Sequence, residues 1–124
     1  MVVNRQEMRV SLLLLPPFQT LQLINLSMFA ITTVAFDYER EVMDAYCWGF
    51  FPSFEIAEGV LYRDGSEMHQ YFYPYLVIES IPIDQFNPQP RECAWYAFEK
   101  ERMIWNETTR PKELEYFKYF AIRR

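Results

Sequence analysis

Aromatic and basic residues gather in the C-terminal half of the sequence in a combination that suits nucleotide binding. A base stacks on an aromatic face for roughly 1–3 kcal/mol, and an arginine fork grips a phosphate through two parallel hydrogen bonds. The candidate ligand-binding residues are Tyr73, Tyr75, Trp95, Trp105, Arg110 and Arg123. The competing interpretation is that many of these rings form the core face of a sheet and that the terminal arginines are solvated.

The other reactive residue types form no catalytic pattern in the sequence. His69 is the single histidine, which excludes a metal site with several histidine ligands. Cys47 and Cys93 lack the CxxC spacing of zinc and redox sites, and their apolar neighbours predict buried thiols. The three glycines form no phosphate-binding loop, and no GxSxG or HExxH motif occurs. We therefore expect a protein that is not an enzyme and that binds no cofactor and no metal. An enzyme of unrecognised type is kept as an alternative.

Acidic residues dominate the middle of the chain. Residues 28–92 contain eleven acids and three arginines, whereas residues 93–124 contain seven bases and five acids. The net charge of −5 argues against binding of a DNA or RNA polymer, which needs a basic face. An acidic face can instead attract a basic protein. The candidate partner-binding residues are Glu39, Glu41, Asp44, Glu55 and Glu58, and the simpler interpretation is solvated surface charge.

Short apolar runs separated by turn residues predict the elements that position these side chains. β-Branched and aromatic runs predict strands at residues 28–36, 45–51, 73–80, 94–98, 103–105 and 119–122. Ser53 is expected to cap a helix that ends near Gly65, and Pro111 to open a second, short helix. This order predicts an α+β fold, an antiparallel sheet of about five to six strands with one or two helices packed on one face.

The first residues differ in composition from the rest. Residues 28–124 are predicted to form a single compact α+β domain. Residues 1–27 are rich in leucine, and two interpretations stay open: an apolar arm that packs on a neighbouring subunit, or an extension ahead of a start at Met28. The apolar run at residues 10–15 is too short for a membrane span, and Pro16 and Pro17 make it a poor signal peptide. We expect a cytoplasmic protein without membrane contact.

Several stretches resemble a group of small uncharacterised proteins of Firmicutes and their phages. The resemblance lies in residues 28–124, in MFAITTVAFD, CWGFFPSFEIAEGVL, DGSEMHQYFYPYLVIESIP, WYAF and RPKELEYFKYFAIR. No established activity belongs to that group, so the resemblance assigns no functional residue. It implies an accessory gene of a mobile element, and short phage proteins of this kind often block a host defence.

These observations lead to three hypotheses. The first is non-catalytic sequestration of a small nucleotide-derived immune signal by the aromatic and arginine residues, in a homo-oligomer. The second is an inhibitor or immunity protein whose acidic face blocks a host defence enzyme or toxin. The third is an enzyme of unrecognised type. Aromatic residues make up 19% of the chain, more than a core of this size needs, which favours a binding surface.

Overall fold

A computed structural model of the protein describes residues 26–122 and confirms the α+β class. It contains five strands: β1 (Ser27–Asp37), β2 (Val42–Phe51), β3 (Tyr75–Pro82), β4 (Arg91–Glu99) and β5 (Ile104–Thr108). They form one antiparallel sheet in the order β2-β1-β3-β4-β5. The helix α1 (Phe54–Asp64) connects β2 to β3, and single 3-10 turns occur at Glu67–His69 and Lys112–Leu114.

The start of α1 follows from its capping residue. The Ser53 side chain accepts a hydrogen bond from the Ile56 N–H at 3.1 Å, which satisfies one of the free donors of the first turn. Glu55 adds negative charge at the positive end of the helix. Ala57 and Leu61, one turn apart, are buried against the sheet. The predicted helix is therefore confirmed.

Both faces of the sheet are covered. Side chains alternate between the faces along a strand, so Leu76 and Ile78 of β3 pack beneath α1 on what we call the helix face. Val77 points to the opposite face and packs with Leu114. That opposite face is covered by the C-terminal segment, residues 111–122, and we call it the C-terminal face.

The end of the chain differs from the prediction. Residues 119–122 form no edge strand, and residues 120–122 are bends, because Phe120 buries its ring on the C-terminal face. The second helix is reduced to the 3-10 turn Lys112–Leu114, and it lies on the opposite face from α1. Strand β4 begins at Arg91, three residues before the predicted start.

Residues 1–25, 123 and 124 lie outside the described residues. The proposed N-terminal arm or extension at residues 1–27 and the ligand role of Arg123 therefore stay predictions. Within residues 26–122 no helix is long and apolar enough to span a lipid bilayer.

Candidate functional site

Two of the predicted site residues, Trp95 and Trp105, lie on opposite faces of the sheet. Both indoles are 4% exposed. Trp95 lies on the C-terminal face, with its ring 5.1 Å from that of Phe120. Trp105 belongs to the core beneath α1, and its Nε1 donates to the Gly65 carbonyl at 2.8 Å. A single pocket that contains both tryptophans is therefore not formed in this structure.

Arg110 lies on the C-terminal face, where other groups of the chain bind its guanidinium. It forms an ion pair with Glu92 and donates to the Leu114 carbonyl from Nε at 3.1 Å and from Nη2 at 2.6 Å. The guanidinium carbon lies 6.0 Å from the Trp95 ring centroid and 5.5 Å from that of Phe120. These contacts hold the C-terminal segment against β4, which is a structural role.

The tyrosines of the predicted site have separate surroundings. The Tyr75 hydroxyl donates to Glu113 at 3.1 Å, as does the hydroxyl of Tyr38. Burial, followed by the charge of Glu113, raises the pKa of Tyr75. Tyr73 is half-buried, and its ring lies 6.5 Å from that of Tyr71.

Three of the six predicted residues therefore share the C-terminal face: Tyr75, Trp95 and Arg110. Each contacts the C-terminal segment, through Glu113, Phe120 and the Leu114 carbonyl respectively. The groups proposed to bind a nucleotide thus already have interaction partners within the chain. Their ligand-binding role stays a prediction, and it would require the C-terminal segment to move.

Surface grooves lie elsewhere. A groove of about 490 Å³ runs along the β4–β5 hairpin, and one of about 480 Å³ lies between the start of β2 and residues 116–119. A smaller cavity of about 120 Å³ is lined in part by Trp105. Among the lining residues of these three cavities there is no Tyr73, Tyr75, Trp95 or Arg110.

The five predicted acidic residues divide into two groups. Glu39 and Glu41 are exposed in the β1–β2 turn, and Asp44 is exposed near the start of β2. Glu55 and Glu58 belong to α1, which begins beyond the other end of β2. At about 3.3 Å per residue, Asp44 and the end of β2 are roughly 23 Å apart. The acids of the β1–β2 turn and the start of β2 therefore lie apart from the two acids of α1, and the five do not form one face.

Glu58 differs from the other four acids in its surroundings. It is half-buried, and its carboxylate accepts a hydrogen bond from the Tyr96 hydroxyl at 3.0 Å. Burial, followed by the hydrogen bond to Glu58, raises the pKa of Tyr96. Glu58 therefore provides the hydrogen-bond acceptor for the hydroxyl of the buried Tyr96.

A partly exposed group of rings lies on the helix face beside the acids Glu39, Glu41 and Asp44. We call it the aromatic patch, and it consists of Tyr46, Trp48, Tyr71 and Tyr73. The Tyr46 ring centroid lies 4.8 Å from that of Trp48 and 5.3 Å from that of Tyr71. Trp48 and Tyr71 stack at 6.0 Å with an interplanar angle of 24°. Tyr46 and Tyr71 are nevertheless 44% and 53% exposed.

The path of α1 explains why these rings are exposed. The helix starts after β2 and ends near β5, where Trp105 binds Gly65. Residues 70–73, rather than α1, therefore lie over the corner of the sheet beside the start of β2. Trp48 is fixed there by its Nε1, which donates to the Thr33 hydroxyl at 2.9 Å. The sequence shows the spacing of Tyr46 and Trp48, but their contact with Tyr71 depends on the tertiary fold.

Within residues 26–122, Cys47 and Cys93 donate to the backbone carbonyls of Gly49 and Arg91 and not to His69. His69 stacks on Phe98 at 3.8 Å on the helix face, and burial, followed by the charge of Lys100, lowers its pKa. Cys47 is half-buried and Cys93 is exposed, so the prediction of two buried thiols is wrong for Cys93 and is met only in part for Cys47. Within residues 26–122 no three His, Cys, Asp or Glu side chains are arranged to hold a metal ion.

Sequence reasoning missed Glu79, a fully buried carboxyl group on β3. Its oxygens accept hydrogen bonds from the backbone N–H groups of Phe120 at 3.2 Å and Ala121 at 2.9 Å. Burial raises its pKa, although the two N–H groups act in the opposite direction. The acid interrupts the apolar run of β3, and that interruption is the signal in the sequence for a buried polar contact.

A scan of protein-family models and searches of curated proteins and of solved structures found no match for this chain.

Proposed function

We propose that the protein acts by non-catalytic binding of a protein partner through the aromatic patch and the acids beside it. The observation that carries the proposal is the contact among the rings of Tyr46, Trp48 and Tyr71 at the surface. Tryptophan and tyrosine are among the residues that contribute most to binding energy at protein interfaces. Burial of such rings stabilises a folded protein, whereas the rings of this patch stay partly exposed and are accessible to a partner.

The charge around the patch favours a basic partner. Asp44 lies two residues before Tyr46 on β2, and Glu39 and Glu41 lie in the adjoining turn. None of the three forms an ion pair within residues 26–122. Opposite charges across an interface accelerate association and make it sensitive to salt. The proposal therefore keeps the inhibitor or immunity hypothesis and reduces its acidic surface to Glu39, Glu41 and Asp44.

The biological setting comes from the resemblance to small proteins of Firmicutes and their phages. In that setting the partner is a host defence protein, and binding blocks it. Sequestration of a nucleotide has weaker geometric support, because Trp95 and Arg110 already contact Phe120, Glu92 and the Leu114 carbonyl.

The test is affinity capture from lysates of Firmicute cells with the full chain and two variants. The patch variant is Tyr46→Ala/Tyr71→Ala, and the control is Phe86→Ala, which removes a ring that is 99% exposed in the β3–β4 loop. We expect the wild type and the control to retain a common protein that the patch variant loses. Retention of the same proteins by all three would contradict a role for the patch.

Native mass spectrometry separates this function from nucleotide sequestration. The purified chain is measured alone and with a panel of linear and cyclic nucleotides. We expect no nucleotide mass to be retained. Retention of an unaltered nucleotide, abolished by Trp95→Ala, would instead support the C-terminal face as the ligand site and overturn the proposal made here.

A further inference from the structure

We propose that the free edge of β2 accepts an extended, basic segment of the protein partner as an added strand. This inference rests on the proposed function and states how the partner is held. The added strand would run between the aromatic patch and the groove of about 480 Å³ on the other side of β2.

The first argument is the unpaired backbone of β2. It is an edge strand of ten residues, paired with β1, and no other strand within residues 26–122 lies along its outer side. A free edge presents a row of N–H and C=O groups that can pair with another extended chain. Lysine and proline, which often protect such edges, do not occur in Val42–Phe51, and Asp44 is its single charged residue.

The second argument limits where a strand can be added. The β1–β2 register shifts between Ile31, which pairs with Gly49, and Thr32, which pairs with Cys47. Trp48 is therefore the extra residue of a bulge, which twists and disrupts the ladder locally. The regular part of the edge is Val42–Cys47, six residues or roughly 20 Å. This part lies beside the aromatic patch.

The third argument is that both sides of this edge have features that side chains can contact. Successive side chains of an added strand alternate between the faces of the sheet. On the helix face they meet Tyr46 and the rest of the aromatic patch. On the C-terminal face they meet the groove that Val42 and Met43 form with residues 116–119. Main-chain pairing with contacts for alternate side chains is how strand addition combines affinity with specificity.

The fourth argument is charge, which selects a basic occupant over a second copy of this chain. Glu39, Glu41 and Asp44 lie at this end of β2. Two bases lie near them: Lys118, which lines the groove, and Arg40 of the β1–β2 turn, which is paired with Asp37. Pairing of β2 with itself would bring these acids of two chains, each with a net charge of −5, into the same short interface. Like charges in close contact oppose such pairing, whereas lysine or arginine side chains would be attracted.

The probe is a capped ten-residue peptide that alternates isoleucine and lysine, added to the full chain. Two matched peptides accompany it: one with glutamate in place of lysine, and one with every second backbone nitrogen methylated. Amide hydrogen exchange and amide chemical shifts are followed by NMR. With the lysine peptide we expect the Val42–Cys47 amides that are not hydrogen-bonded to β1 to exchange about tenfold more slowly, equivalent to roughly 1.4 kcal/mol. The other two peptides should give little protection.

Two charge variants test the site itself. Val42→Lys adds a positive charge at the start of β2 and should weaken binding of the lysine peptide. Ile104→Lys makes the matched change at the first residue of β5, the opposite edge strand, and should leave binding unchanged. Both residues are exposed, so both variants are expected to fold.

Four outcomes would overturn the inference. Equal binding of the methylated peptide would show that the backbone edge is not used, and equal binding of the glutamate peptide would remove the charge argument. Protection of Val42–Cys47 without peptide that grows with protein concentration would identify a second copy as the occupant. Protection in the free chain, at every concentration, of those Val42–Cys47 amides that are not hydrogen-bonded to β1 would mean that residues of the same chain cover the edge.

The two proposals fail in different experiments. Peptide-dependent protection of Val42–Cys47, together with unchanged protein capture by the Tyr46→Ala/Tyr71→Ala variant, would keep the edge site and reject the aromatic patch. Loss of capture in that variant without peptide protection would keep the patch and reject strand addition.

Discussion

The guanidinium of Arg110 forms an ion pair with the carboxylate of Glu92 beside the buried ring of Trp95. Glu92 also accepts a hydrogen bond from Trp95 Nε1 at 2.7 Å. Arg110 also donates hydrogen bonds to the Leu114 carbonyl, so Glu92 and Arg110 together connect β4 to the C-terminal segment. Residues that suggest a phosphate site in the sequence are thus used to attach the last part of the chain.

Arg110→Ala should lower the free energy of unfolding by about 1–3 kcal/mol, because hydrogen bonds to a charged group and to a buried carbonyl are lost. Arg102→Ala is the control. Arg102 is an exposed arginine paired with Glu99, and because exposed ion pairs contribute little, its loss should change stability much less than the loss of Arg110. Urea unfolding of both variants measures the difference. Equal effects would argue that Arg110 does not attach the C-terminal segment.

Glu79 should make the protein less stable as the pH rises above 4.5, the ordinary pKa of its carboxyl group. Burial raises its pKa in the folded state, so the folded protein holds this proton where the unfolded chain has lost it. Stability must then fall with rising pH until the raised pKa is passed, by at most about 1.4 kcal/mol per pH unit.

Unfolding of wild type and Glu79→Gln across pH 4–8 measures this contribution. The stability of the wild type relative to the variant should decrease as the pH rises. A difference that stays constant, or that increases, would show that the carboxyl group does not behave as a buried acid.

Glu99 should have the opposite pH dependence. The side-chain hydrogen bonds from Arg102 and Asn106 lower its pKa from 4.5 to about 2. Its contribution is therefore present above pH 4.5 and is lost as the pH falls from 4.5 towards 2. Comparison of wild type and Glu99→Gln over this range, by thermal unfolding, should show the wild-type advantage shrinking on acidification. An advantage that grows would contradict the assigned hydrogen bonds.

Gly65→Ala, with Gly59→Ala as its control, tests the close packing of Gly65 against the Trp105 ring. A Cβ at Gly65 would lie 2.5 Å from the Leu61 carbonyl oxygen and 2.8 Å from Trp105 Cδ1. Gly65→Ala should therefore destabilise by about 1–3 kcal/mol, as overpacking does. A Cβ at Gly59, within α1, meets nothing within 4 Å, and Gly59→Ala should stabilise by roughly 0.5–1 kcal/mol. Chemical denaturation compares them, and a neutral Gly65→Ala would contradict the close packing.

Local patterns in the sequence predicted most of the elements. The hairpins β1–β2 and β4–β5 follow from β-branched and aromatic runs separated by polar turns, and Ser53 marks the start of α1. The C-terminal segment was predicted less well. The aromatic and apolar residues 119–122 are typical of an edge strand, but Phe120 packs on Trp95 and its N–H group binds Glu79. Trp95 and Glu79 lie 25 and 41 positions before Phe120 in the chain, beyond the reach of local pattern.

The sequence by itself determined the α+β class, the limits of α1 and the excess of aromatic residues, because propensity, capping and side-chain periodicity act over a few neighbouring residues. Only the tertiary structure decided which rings are exposed. Alternation along β4 and β5 places Trp95 and Trp105 on opposite faces, where the C-terminal segment and α1 bury them, whereas the fold brings Tyr71 against Tyr46 and Trp48 at the surface. Burial depends on what packs above each face, and that is set by residues distant in the chain.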